Sequence, residues 1–250
     1  MITIEREYHR FLQQAGWTQA VRRFVYQHTG LRQARRVLEV GCGPGVILAD
    51  LQANSPAAVY GLDQRMEALV YARSVCQSGL TNGDGLTLPY AGRVFDFTCC
   101  HFTLLWVGDP LRVLLEMRRV TRVGGWVAVL AEPDYGGRID YPEGLVDLGK
   151  MQTVALKERG ADPCFGRKLM AHLQRCGLQE VRVGVINGMW NQPPETHEWA
   201  MEWEMLEEDL DGKIKPESLD ALRSLDWESC QAGERILYVP TFYGWGRVID

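Results

Sequence analysis

The residues of this chain that are best placed to do chemistry are an acid and three alternating glycines. Glu39 lies within the apolar run 37–40, and the glycines follow it directly: Gly41, Gly43 and Gly45. Glycine allows a tight turn and brings a ligand close to the backbone. A second acid, Asp63, closes the next apolar run about 20 residues downstream, where a carboxylate can bond both ribose hydroxyls. The two acids and the loop therefore predict a site for a ribose-bearing ligand.

The spacing of the glycines narrows the class of ligand that the loop can bind. They follow G-x-G-x-G, and Val46 stands where the dinucleotide fingerprint G-x-G-x-x-G requires its third glycine. The loop also lacks the Gly-Lys-Ser/Thr that cradles a triphosphate. Glu39 would repel a pyrophosphate but could hold an ammonium group. A ligand with a ribose and an ammonium group, and without phosphate, fits these residues better.

The elements that must position this loop alternate between strand and helix. Apolar runs predict strands over 37–40, 58–62, 80–84, 94–100 and 126–131, and helical patterns lie between most of them. Such alternation is typical of βαβ units, in which helices cover both faces of a parallel sheet. The sequence therefore predicts an α/β, doubly wound, Rossmann-like fold.

The flanking segments differ from this alternating core. Before it, 5–15 reads as one helix, and Thr18 is placed to cap a second helix that ends near residue 29. After it, 188–233 is rich in Trp and Glu and reads as mostly helical, and 235–247 reads as a terminal strand interrupted by Pro240. The predicted division is a lid over 1–34, a core over 35–187 and 234–250, and a helical cap over 188–233.

The ordered motifs resemble those of the class I S-adenosylmethionine-dependent methyltransferases of the small-molecule type. Besides E-x-G-C-G-x-G at 39–45, four more motifs fall in the family's order: Gly83-Asp84-Gly85 with Leu88-Pro89-Tyr90, Phe95-Asp96-Phe97, Arg119-Val120, and Val123-Gly124-Gly125. The resemblance is close over roughly 35–135. It implies a seven-stranded, mostly parallel sheet with helices on both faces, and a helical cap over the acceptor site.

The resemblance also implies a cofactor, S-adenosyl-L-methionine, whose product is S-adenosyl-L-homocysteine. Glu39 and the glycine loop would surround its methionine part, Asp63 its ribose, and Asp84 its adenine. The full set of cofactor residues implied by the resemblance is Tyr8, Glu39, Gly41, Cys42, Gly43, Asp63, Gln64, Asp84, Gly85, Cys100 and His101. For Tyr8, packing in the core is an equal alternative to closure over the cofactor.

Candidate residues for the transfer step lie after the fourth and fifth predicted strands. His101 is the tentative base, because histidine titrates near neutrality, although a structural role is favoured over it. Glu132 and Tyr135 could line the acceptor site, or belong to a turn fixed by Pro133. Four tryptophans could form the wall around an apolar or cationic acceptor: Trp106, Trp190, Trp199 and Trp203. For the last three, packing of the cap onto the sheet is the favoured alternative.

The composition and the motifs limit the kinds of partner expected for the chain. The formal charge is −5, which disfavours nucleic acid, and the segment after the fourth strand lacks the Asp/Asn-Pro-Pro-aromatic motif of the family's nucleic-acid aminomethylating enzymes. Seven scattered cysteines without a C-x-x-C pair indicate reduced thiols and no metal site. Neither a secretory signal nor a membrane span is evident, so the expected location is the cytoplasm.

The expected partner is thus a small-molecule acceptor, without nucleic acid or membrane, and a homodimer is considered. The alternative function is an S-adenosylmethionine-binding protein without methyl transfer: a regulatory module, or a cofactor-assisted cyclase or isomerase.

Overall fold

The computed structural model describes residues 3–188, 190 and 194–250, and contains a seven-stranded sheet. Its strands, in spatial order, are β3 (Gly79–Asn82), β2 (Ala58–Asp63), β1 (Arg36–Val40), β4 (Phe95–Cys100), β5 (Thr121–Pro133), β9 (Thr241–Arg247) and β7 (Gln179–Val185). The pairs from β3 to β5 are parallel, and β9 runs antiparallel to both of its neighbours. This is the predicted mostly parallel, doubly wound sheet.

Eight α-helices accompany the sheet in the described residues. They are α1 (Ile4–His28), α2 (Val46–Asn54), α3 (Met66–Val75), α4 (Pro110–Val120), α5 (Val146–Glu158), α6 (Leu169–Arg175), α7 (Thr196–Asp209) and α8 (Pro216–Gln231). Helix α4 begins as the sequence predicts: the Asp109 side chain accepts a hydrogen bond from the backbone N–H of Arg112, and Pro110 occupies the first turn.

Two apolar cores lie on opposite faces of the sheet. Helices α1, α2 and α3 cover one face, where Leu48 of α2 and Val25 of α1 are fully buried. Helices α4 and α6 cover the other, where Leu114 and Leu173 are fully buried. Because β1 is sandwiched between both cores, four of its five residues are buried, and its carboxyl end is held firmly at the edge of the sheet.

The prediction of two N-terminal helices is wrong. Gly16 does not interrupt α1, and the hydroxyl of Thr18 donates back to the carbonyl oxygens of Gln14 and Ala15 instead of capping a second helix. The N-cap is Thr3, whose side chain accepts from the N–H of Arg6. The helix continues because its apolar face packs on α2, β5 and β9, which outweighs one unfavourable glycine.

The terminal strand is also divided differently from the prediction. Ile236–Tyr238, or β8, leaves the large sheet and pairs antiparallel with β6 (Ile139–Tyr141). Only the segment after Pro240 joins the seven-stranded sheet, because proline has no N–H to donate to a ladder. The small sheet lies beside helices that share a third apolar core, which includes Leu145, Trp203 and Leu206.

The predicted lid and cap include residues that lie outside the described part of the chain: 1–2 in the lid, and 189 and 191–193 in the cap. The division into lid, core and cap stays a prediction.

Candidate active site

The glycine loop turns directly from β1 into α2. The N–H groups of Gly41 and Cys42 both donate to the carbonyl oxygen of Leu62 in β2, at 2.8 and 3.0 Å. Gly41 has φ of +74°, and a Cβ there would stand 2.5 Å from the side chain of Thr103. The loop therefore requires glycine at this position for its backbone conformation and for its close approach to the segment after β4.

The two acids predicted from the sequence lie at the same sheet edge. The Oδ2 of Asp63 accepts from the N–H of Gly43 at 2.8 Å, and its Oδ1 accepts from the N–H of Arg65 at 2.9 Å. Glu39 is buried, and its Oε2 has no hydrogen-bond partner among the described residues. Burial, with repulsion from Asp63, raises the pKa of Glu39 well above its usual range. A cation placed beside Glu39 would satisfy this carboxylate.

A single large cavity of about 2060 Å³ joins the glycine loop to the cap. One end is lined by the loop, β2 and the segment 83–86. Helix α1 and the segment after β4 also approach the glycine loop, through Phe11 and Thr103, and the segment after β5 and α7 line the rest of the cavity. Ligand pockets commonly measure ~300–1,000 Å³, so this cavity has room for two ligands together.

Most of the predicted cofactor residues line this cavity: Glu39, Gly41, Cys42, Gly43, Asp63, Gln64, Asp84, Gly85 and His101. Two do not. The ring of Tyr8 packs against Tyr71 of α3 at 5.1 Å between centroids, which is the alternative of core packing. Cys100 is fully buried within β4. Both residues are within the elements that shape the site, but neither side chain faces the cavity.

The surroundings of His101 argue against its prediction as the base. Its Nε2 lies 2.9 Å from the Oγ1 of Thr18, which also accepts from the guanidinium of Arg22 at 2.5 Å. Burial, assisted by the positive charge of Arg22, lowers the pKa of His101 to about 3. A neutral imidazole with so low a pKa takes up a proton poorly near neutral pH. Thr18 and Arg22 were missed from the sequence because their role depends on α1 being continuous.

Glu132 holds the backbone instead of facing an acceptor. It is fully buried, and its carboxylate accepts from the N–H groups of Thr103, Leu104 and Leu105 at 2.9, 2.7 and 3.1 Å. Burial raises its pKa to about 7, and these three bonds counteract the rise. The residue is not among those lining the cavity, so the structure corrects its tentative catalytic assignment to a structural one.

Tyr135 and three of the four tryptophans do line the cavity: Trp106, Trp190 and Trp199. Trp203 is instead buried in the core of the cap, and its indole N–H donates to Asp226 at 2.8 Å. Trp199, four residues earlier on the same face of α7, donates to the same carboxylate at 2.6 Å. Because both indoles donate to Asp226 of α8, this face of α7 packs toward α8. The prediction that Trp203 forms part of the wall around the methyl acceptor is therefore wrong.

Ion pairs at the cap end of the cavity were not predicted. Asp140 pairs with Arg138 at 2.6 Å and with Arg235 at 2.8 Å, although all three side chains are less than a tenth exposed. Asp209 pairs with Arg159 and accepts from Gln152. Arg138 and Asp140 are two residues apart, but Arg235 and Asp209 come from distant parts of the chain, and no spacing in the sequence connects them with the others. No local signal could have identified such a network.

The part of the chain that the structure describes holds no group of three or more His, Cys, Asp and Glu arranged for a metal ion. Across that same part, no helix has the length and apolar character needed to cross a membrane.

Comparisons with known proteins agree with this geometry. The family described as "Methyltransferase domain" matches residues 38–129. A demethylmenaquinone methyltransferase of Bacillus velezensis is 31% identical over 184 residues, which cover 65% of this chain and 78% of that protein. The chain spans about half the length of the first curated relatives that it matches.

Solved structures share the fold at low identity. A Haemonchus contortus phosphoethanolamine N-methyltransferase 2 in complex with S-adenosyl-L-methionine has a TM-score of 0.60 and 13% identity, covering 93% of this chain and 53% of that one. The [4+2]-cyclase SpnF has a TM-score of 0.59 and 16% identity, covering 93% and 81%. The matched family, the relatives and the seven-stranded Rossmann-like sheet agree, and the chain belongs to the class I S-adenosylmethionine-dependent methyltransferase family.

Proposed function

We propose that the protein transfers a methyl group from S-adenosyl-L-methionine to a small-molecule acceptor by in-line displacement, leaving S-adenosyl-L-homocysteine. The observation that carries the proposal is the continuous cavity, which has the acid and glycine loop at one end and aromatic and charged cap residues at the other. Such a cavity can hold a donor and an acceptor side by side.

The residues at the loop end fit the cofactor. The unpartnered Oε2 of Glu39 is suited to its ammonium group, and Asp63 to its ribose hydroxyls. Gln64, Asp84 and Gly85 line the same end, where the adenine would lie. When bound, the cofactor supplies a methyl group that its positively charged sulfur has already activated.

The chain's own contribution to the transfer is then alignment and exclusion of water. Thr103, which follows β4, and Tyr135, which follows β5, both line the cavity, as do residues of α1 and α7. His101 and Glu132 are engaged in internal hydrogen bonds, so we assign neither of them a proton-transfer step.

The acceptor is proposed to be a metabolite and not a nucleic acid. The cavity is bounded by the cap, and its aromatic wall at Trp106, Trp190 and Trp199 suits a molecule with apolar parts. A relative named as a demethylmenaquinone methyltransferase supports a small organic acceptor.

The test has two steps. Calorimetry with S-adenosyl-L-homocysteine should show binding at a single site. Incubation with S-adenosyl-L-methionine labelled in its methyl group, across panels of metabolites, should then move the label into one chemical class of acceptor. Absence of binding would contradict the whole proposal.

The second candidate is a cofactor-binding protein that catalyses a cyclisation or isomerisation without methyl transfer. It is favoured by one observation: His101 and Glu132, at the ends of β4 and β5, are both engaged internally. A cyclase also appears among the proteins of similar fold. Mass spectrometry separates the two candidates, because only methyl transfer adds a methylene unit to the product's mass.

A further inference from the structure

One arginine at the cap end of the cavity has no partner. Arg10 lies in α1, and within the described residues it makes neither a hydrogen bond nor an ion pair. Its Nε is buried and unsatisfied, while the residue lines the cavity. A buried N–H without an acceptor is costly, so a ligand that accepts from this guanidinium would be favoured here.

The other arginines that line the cavity are all paired. Their partners are Glu204 for Arg6, Glu7 for Arg65, Asp140 for Arg138, Asp209 for Arg159, and Asp226 with Asp140 for Arg235. Arg10 is thus the one cavity-lining arginine of the described residues whose hydrogen-bonding capacity remains available.

The position of Arg10 assigns it to the acceptor end. Arg6, one turn earlier on the same face of α1, pairs with Glu204 of α7 at 2.6 Å. Along the same face of α1, Gln13 contacts Glu202 of α7, so this face meets the cap.

Tyr135 supplies a second donor at the same place. Its ring lines the cavity, and its hydroxyl makes no hydrogen bond within the described residues. Burial raises the pKa of this phenol, against the opposing positive charges of Arg138 and Arg10, so the hydroxyl stays protonated and can donate near neutral pH. A guanidinium and a phenol O–H can together donate to two oxygens of a carboxylate or of a phosphate.

We propose that the acceptor carries an anionic group, a carboxylate or a phosphate, and that Arg10 and Tyr135 bind this group at the cap end of the cavity. This rests on the proposed function, whose acceptor class it narrows. Of the acids of α7 that line the cavity, Asp209, Glu204 and Glu207 pair with arginines, and burial raises the pKa of Glu202 to about 7. Glu208 and Asp211 have no ion pair within the described residues, and an anionic acceptor would bind against their charge.

The test uses the full chain saturated with S-adenosyl-L-homocysteine, and benzoate and inorganic phosphate as probes. Binding is measured by thermal shift and calorimetry at constant ionic strength, with chloride as the reference anion and benzamide as the uncharged analogue. We expect benzoate or phosphate to bind and benzamide to bind more weakly. Arg10→Met should weaken anion binding roughly 10–100-fold, and Tyr135→Phe by a smaller factor.

Arg23→Met is the matched control, because Arg23 is exposed on the same helix and does not line the cavity. It should bind the anions as the unaltered chain does. Equal anion binding by Arg10→Met and Arg23→Met, or no anion binding at all beyond chloride, would overturn the proposal.

A further experiment tests whether Arg10 binds the anionic group of the acceptor or the carboxylate of the cofactor. Affinities for S-adenosyl-L-homocysteine and for 5′-methylthioadenosine, which lacks the amino-acid tail, are compared in Arg10→Met. We expect both to be unchanged. Selective loss of S-adenosyl-L-homocysteine would place Arg10 on the cofactor and refute the acceptor assignment. Failure of the cofactor to bind the unaltered chain would contradict the proposed function separately.

Discussion

At the scale of single residues, Glu39 carries most of the information about the ligand. It is buried beside Asp63, and its Oε2 lacks a partner in the described residues. In the protein alone this arrangement is unfavourable, since burial and like charge both disfavour the carboxylate. The site therefore favours a ligand that brings a positive charge to this position.

Glu39→Gln tests this interpretation. The variant should weaken binding of S-adenosyl-L-homocysteine roughly 10–100-fold, because a charged hydrogen-bonded pair is lost. Binding of 5′-methylthioadenosine, which has no ammonium group, should change little. Calorimetry with both ligands measures the difference. An equal loss for both would mean that Glu39 supports the loop and does not bind the ligand's tail.

Glu132 has a different role, because its three hydrogen bonds hold the backbone after β4. Glu132→Ala should destabilise the protein by about 3 kcal/mol or more, since it leaves buried N–H groups unsatisfied. Glu132→Gln should cost less because one acceptor oxygen remains. Urea unfolding measures both. Unchanged stability together with lost turnover would restore the catalytic assignment.

At the scale of elements, α1 connects the two ends of the cavity. Phe11 approaches the glycine loop, where a Cβ on Gly43 would lie 3.2 Å from its ring. Arg6 pairs with Glu204 of α7 on the cap side. Both contacts are made before Gly16, and the helix continues through Gly16 to Thr18, which contacts His101.

Gly16→Ala tests the continuity of α1. No atom lies within 4 Å of the position that an alanine Cβ would take, and the backbone there is helical, so alanine should stabilise the protein by ~0.5–1 kcal/mol. Gly41→Ala is the contrasting variant, since its φ of +74° and the contact with Thr103 make alanine unfavourable. Thermal unfolding should shift upward for the first and downward for the second. A downward shift for Gly16→Ala would indicate that the helix is interrupted.

At the scale of the whole molecule, the cap couples stability to pH through Glu202. Burial, with repulsion from Asp226, raises the pKa of Glu202 to about 7. In the unfolded chain the pKa of a glutamate is about 4.3. Between these values the folded protein holds the extra proton, so this residue's contribution to stability falls as the pH rises from about 4.3 to about 7.

Glu202→Gln removes this titration. Relative to the unaltered chain, the variant should gain roughly 1–3 kcal/mol of stability between pH 5 and pH 8, because each pKa unit corresponds to about 1.4 kcal/mol. Urea unfolding across this range measures the difference. Glu228→Gln, at an exposed position of α8, is the control and should show no such trend. A pH-independent difference for Glu202→Gln would contradict the prediction.

The sequence by itself determined the sheet and the loop end of the site. The spacing of apolar residues and the residues that form turns and caps are local properties of a sequence. The strand at 37–40 and the capped start of α4 were therefore predicted close to their observed bounds. Likewise, Glu39, Gly41 and Asp63 could be grouped because parallel strands place their carboxyl ends at one edge.

Only the tertiary structure decided what the remaining candidates do. Whether Trp203 faces a ligand or a core depends on the packing of α7 against its neighbours, and whether Glu132 meets an acceptor depends on the backbone after β4. Arg10 stands out only once the other cavity arginines of the described residues are seen to have their partners. Such features depend on which distant segments meet, and local patterns of residues carry no information about those contacts.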